Sequence, residues 1–267
     1  MAAVVVVVLA LVGGLVAYGL GVFDDDETAP RLVDSPGTTE PAPTAEPAFC
    51  EGMAALDLAL SQSPDDPAVY PAFVADTLAP TVAAVRGAEP EPIAAGVERL
   101  LTAVESSAAG DDSGFDDPGY AAAQGEVYPF LAEACGYQAL DVTAVDHAYQ
   151  GLPAQLPPGR SVLMLHNESK AGEFHEIAMV KLLPEVTMPL AEFVALPDEQ
   201  AAALIDPASY GLGAYAAPGE VGGSVVDLTP GRWVYACFVP SGTTDPAVEG
   251  TGEPHVALGM SGELVVG

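Results

Sequence analysis

The chain has 267 residues, room for one or two domains each with its own core, and 50% of them are hydrophobic, which excludes a disordered chain. It carries 38 acidic residues against seven basic ones, a formal net charge of −31. No basic cluster exists to meet phosphates, so nucleic acid is excluded as a partner. The acidity reads as a solvated surface, with steering towards a basic partner as the sharper alternative.

In chain order, Ala2 to Phe23 contains no charged side chain, and the first basic residue is Arg31. A run of that length is enough to cross a bilayer. A cleaved signal peptide would show a basic start and a shorter apolar core, so segment 1–23 is expected to be an uncleaved transmembrane helix. The alternative is a cleaved signal and a secreted protein. Residues 24–47 open with acidic side chains and continue with Pro, Thr, Glu, Ser and Gly. This composition predicts a disordered linker with a reach of about 25–30 Å.

Residues 48–137 carry helical periodicity. Phe49, Met53, Leu56 and Leu60 share one face. A second segment, about 69–86, is interrupted at Pro80. Ile93, Val97, Leu100, Leu101 and Val104 form the clearest stripe, with Pro92 in the first turn. A fourth segment runs from about Tyr120 to Cys135, and Gly136 stops it. Four helices with short connections predict a small up-down bundle. Between the third and fourth, DDSGFDD lacks the calcium-loop pattern and reads as a solvated acidic loop. Cys50 and Cys135 bracket this region, and a disulfide between them suits an exported protein. Of three cysteines, Cys237 is then left as a free thiol, with metal ligation as the sharp reading and a buried inert side chain as the bland one.

From about 138 the period becomes two. Strands are expected over 141–149, 161–166, 175–183, 224–228, 232–239, 255–258 and 263–266, with short helices inserted in 189–205. Six or seven short strands separated by turns predict a Greek-key sandwich over 138–267. The expected fold is therefore multi-domain: an N-terminal transmembrane helix, an all-α bundle and an all-β sandwich.

The chemistry gathers in the last stretch. Cys237 ends the strand GRWVYAC, His255 and Met260 follow in HVALGM, and His175 opens the strand HEIAMV. Two imidazoles, a thiolate and a weak axial thioether are the donor set of a blue-copper site. The soft thiolate holds Cu(I), the imidazoles suit both oxidation states, and the thioether tunes the potential. His166 competes for the first imidazole position but ends its strand beside Asn167 in a polar loop; His147 lacks partners nearby in sequence. Asn167-Glu168-Ser169 fits a glycosylation sequon.

With these residues in these strand positions, the segment 138–267 resembles the cupredoxin family. His175 opening a middle strand, Cys237 ending a late one, and H-x4-M leading into the last strand match its ligand order. The resemblance implies one type 1 copper ion held by His175, Cys237, His255 and Met260. The chain departs from the family in the long segment 238–254 between Cys and His, and in Glu176, where the family often has Asn. The overall layout is also similar to secreted lipoprotein-type proteins of actinobacteria.

No G-x-S-x-G or phosphate-loop motif is present. With four histidines in all, two in the blue site leave too few for a three-histidine second copper centre. The expectation is a non-enzymatic copper protein at the cell membrane. Its C-terminal domains are extracytoplasmic, and it transfers one electron to a redox partner protein or holds copper. The alternative is a metal-free envelope module for binding, adhesion or assembly. No feature specifies an oligomeric state.

Overall fold

The computed structural model describes residues 43–64, 66–245 and 248–267. Helix α1 spans Pro47–Ser61, with the proline in its first turn, where a missing N–H costs nothing. Helix α2, Tyr70–Phe73, runs through a π-helical turn, Val74–Leu78, into α3, Ala79–Arg86. The wide turn lies immediately before Pro80, whose ring cannot accept a regular α-turn ahead of it. Helix α4, Ala94–Ala108, follows a 3-10 turn at Glu91–Ile93. Helix α5, Pro118–Ala134, is capped by Asp117, whose carboxylate accepts from the Gly119 N–H. The acidic stretch before it is a 3-10 helix, Asp112–Asp116, and not a loop: Asp111 accepts from the Ser113 N–H and hydroxyl and winds the chain. Cys50 and Cys135 form a disulfide between the start of α1 and the end of α5.

The expected transmembrane helix at 2–23 lies outside the described residues. Among the described residues no helix is long and apolar enough to cross a membrane. The longest, α5, has 17 residues with Gln124, Glu126 and Glu133 among them, and it buries one face in protein; a span needs about 20 apolar residues. For the described residues the fold class is corrected accordingly: a helical layer on a β-sandwich, with no membrane-spanning helix among them.

Among the described residues the sandwich has nine strands, more than the alternation suggested. They are β1 Gln138–Val145, β2 Ala148–Gln150, β3 Gln155–Leu156, β4 Gly159–Asn167, β5 His175–Lys181, β6 Leu212–Ala216, β7 Val221–Leu228, β8 Gly231–Ala236 and β9 Ser261–Val266. Short helices α6, Leu190–Phe193, and α7, Asp198–Ala202, fill the excursion between β5 and β6. One sheet has the order β2-β1-β4-β7 and the other β3-β9-β8-β5-β6. Between them lies a core that includes Leu140, Val142, Leu163, Leu165, Ile177, Met179, Trp233 and Leu264.

The four-stranded sheet is covered on both faces. Leu163 and Leu165 of β4 point into the sandwich, while Val162 and Met164 share a second core with Phe49, Leu101, Val127 and Leu131 of the helices. This is why Val162 to Leu165 is a continuous apolar run and does not alternate. The helices thus form a layer whose core continues into the sheet, where a self-contained bundle was expected. Polar contacts fix the docking. Asp57 accepts from the Val225 N–H at 2.7 Å and the Tyr128 hydroxyl at 2.9 Å, and Gln124 accepts from the Gly223 N–H at 2.6 Å.

Candidate metal centre

Three segments deliver the donor atoms. Strand β5 opens at His175, and the preceding residue, Phe174, donates its N–H to the Thr243 carbonyl. Strand β8 ends at Ala236, and Cys237 steps off the sheet with its N–H bonded to the Met260 carbonyl at 3.1 Å. The chain then makes its long excursion and returns to its starting point. Pro240 pairs with Pro254, Ser241 donates to the Glu253 carbonyl, and His255 donates to the Val239 carbonyl. Closed at its neck in this way, the excursion brings His255 back beside Cys237.

His255–Leu258 is a 3-10 helix, where a strand was expected. The turn closes when Met260 donates its N–H to the His255 carbonyl, and Gly259 supplies the left-handed conformation at φ 103° that ends it. This turn keeps His255 and Met260 together, whereas an extended strand would separate them.

The Cys237 sulfur lies 3.4 Å from His255 Nδ1 and 3.8 Å from His175 Nδ1. Two donors bound to one ion at about 2.0–2.3 Å stand roughly 3.3–3.8 Å apart, so the trio fits a single metal ion. His175, Cys237, His255 and Met260 are each 0% exposed, and Met260 belongs to the same apolar core as Cys237.

Electrostatics prepare neutral ligands. Burial pushes the Cys237 thiol up to about 12. Burial, aided by the neighbouring His255, holds His175 down at about 4, and burial lowers His255 as well. The site therefore carries no charge of its own among these donors until a cation replaces the thiol proton.

Glu176 performs two tasks. Its backbone N–H points at the Cys237 sulfur at 3.5 Å, and its carboxylate accepts from the Phe238 N–H at 2.8 Å. A longer acid thus ties the His strand to the Cys loop at the position where an Asn was the familiar residue. Tyr149 donates its hydroxyl to the Glu176 carbonyl and clamps the same strand end.

Two further residues stand here: His147, which lacked partners nearby in sequence, and Glu173, which no sequence pattern singled out. Glu173 Oε2 lies 3.3 Å from His255 Nε2 and 3.8 Å from His147 Nε2. These contacts join three separate loops, so no local pattern could reveal them. His166 is elsewhere, 3.4 Å from Asp141 at the surface. Asn167 is buried and uses its amide to donate to the Glu173 and Ala216 carbonyls, which removes the sequon from consideration.

No family model and no curated protein matches the chain. Among solved structures, the C-terminal half is similar to blue-copper cupredoxins. Auracyanin B is 24% identical, the match covering 49% of this chain and 88% of that one with a TM-score of 0.32. Dithionite-reduced auracyanin from Roseiflexus castenholzii is 22% identical over 49% and 97%, with a TM-score of 0.32. Rusticyanin from Thiobacillus ferrooxidans is 19% identical over 49% and 78%, with a TM-score of 0.29.

Proposed function

We propose that the chain is a non-enzymatic copper protein that accepts and passes one electron through a site made of His175, Cys237, His255 and Met260. The observation that carries this is the convergence of two imidazole Nδ1 atoms, at 3.4 and 3.8 Å, on one buried free thiol. Copper bound there supplies a one-electron couple.

The chain's residues do the rest. Cys237 gives the thiolate and the covalent path to the exposed Phe238. The Glu176 N–H spreads the sulfur's charge, and the apolar core excludes water from the donors. The hydrogen bonds at the neck of the 238–254 excursion hold the two late ligands in one geometry. A chain of net charge −31 suits a redox partner with a basic docking face. The Cys50–Cys135 bridge suits an oxidising compartment outside the cytosol.

Copper titration of the purified protein, followed by visible absorption and electron spin resonance, tests this reading. An intense thiolate-to-copper band that is absent in Cys237→Ser is expected. No band in the wild-type protein would leave a metal-free binding module.

A further inference from the structure

We propose that His147, Glu173 and the outer nitrogen of His255 form a second site, for a divalent first-row cation such as Zn2+, that shares His255 with the copper centre. The sharing, and nothing else, rests on the copper reading.

His255 turns Nδ1 to the Cys237 sulfur and leaves Nε2 on its far edge. That Nε2 is fully buried and completes no hydrogen bond among the described residues. Facing it at 3.3 Å is Glu173 Oε2, too poorly aligned for an N–H···O bond but at the separation of two donors around one ion. His147 Nε2 stands 3.8 Å from the same oxygen, and all three atoms lie within 4.8 Å of one another.

The carboxylate is preorganised. Its other oxygen accepts from the Gly242 N–H at 2.6 Å, its carbonyl accepts from Asn167, and its N–H bonds the Ser169 hydroxyl. Oε2 is thereby left aimed at the two imidazoles. His147 is delivered by the β1–β2 turn, where Asp146 takes a left-handed conformation at φ 49°. Its side chain is 39% exposed and opens the group to ions from solvent.

Two imidazoles and one carboxylate suit Zn2+ or Cu2+ in preference to Mg2+ or Ca2+. The entering ion replaces the Nε2 proton of His255, which passes to solvent, and no electron is transferred. His255 belongs to both sites, so the second ion shifts the spectrum of the first.

Titration calorimetry of Zn2+ into the copper(II)-loaded full chain tests the proposal, since copper is not displaced from its stronger site. One equivalent of Zn2+ should bind with release of about one proton and a shift of the visible band. His147→Ala should weaken Zn2+ by at least about tenfold and keep the copper band. Equal uptake by wild type, His147→Ala and Glu173→Gln would mean diffuse binding to the acidic surface, and it would overturn the proposal, as would no uptake. If wild type forms no copper band, the copper reading fails by itself. Zn2+ uptake by Cys237→Ser that is lost in Cys237→Ser/His147→Ala would still support the second site, and equal uptake by both would refute it.

Discussion

Glu176 shows how much one side chain can decide. Its carboxylate is the acceptor for Phe238 N–H, and burial raises its pKa, so a neutral acceptor serves equally well. Glu176→Gln should keep stability within about 0.5 kcal/mol. Glu176→Ala, which leaves the Phe238 N–H to water, should cost about 0.5–1.5 kcal/mol in urea denaturation. Equal losses in the two variants would show that the carboxylate does not hold the Cys loop. At this scale the grouping of His175, Cys237 and His255 was legible because few roles need those donor types in that order. Glu173 and His147 were not, because they meet only through three loops distant in sequence. The helical turn at His255–Leu258 was read as a strand: its residues are apolar, and the signal that closes it is the conformation of Gly259.

Between elements, the contact of the helical layer with the four-stranded sheet depends on Asp57 and Gly223. Burial lifts the Asp57 carboxyl from its ordinary 3.8 to about 7. In the folded protein it stays protonated up to neutral pH, while the unfolded chain loses the proton near pH 4. Between those values the native state binds more protons, so stability falls as pH rises from about 4 to 7 and is level above. The slope from this one group is up to about 1.4 kcal/mol per pH unit. Denaturation of wild type and Asp57→Asn across this range should agree near pH 4, where both side chains are neutral, and diverge as the pH rises to 7, with wild type the less stable. A difference independent of pH would contradict the burial. A Cβ at Gly223 would sit 2.2 Å from the Tyr128 ring. Gly223→Ala should therefore cost about 1–3 kcal/mol, and less in a Tyr128→Ala background, where the ring is gone. Additive losses would mean that the ring does not press on the strand. The helical stripes and most strand positions were readable from periodicity. Strand β6 was not, because Gly211 and Gly213 in GLGAYA resemble loop. Nor was the docking of helices on the sheet, although the unbroken apolar run of β4 was its trace.

Over the whole molecule, the disulfide closes a sequence separation of 85 residues and holds together the two helices, α1 and α5, that meet the sheet. Its removal in Cys50→Ala/Cys135→Ala should lower stability by about 2–5 kcal/mol. The proposed copper site should survive below the new midpoint, since Cys237 and Met260 belong to the other core. Calorimetry with copper-band detection would reveal this as an earlier melting with an unchanged spectrum. A changed spectrum would show that the helical layer shapes the site. The acidic surface guards solubility and selects against polyanions, yet it lies outside the buried donors.

X-ray absorption at the copper edge of the loaded protein tests the central claim most directly. One sulfur and two nitrogens at about 2.0–2.3 Å are predicted, with the short sulfur lost in Cys237→Ser. A shell of nitrogen and oxygen alone, unchanged by that substitution, would contradict the site proposed here.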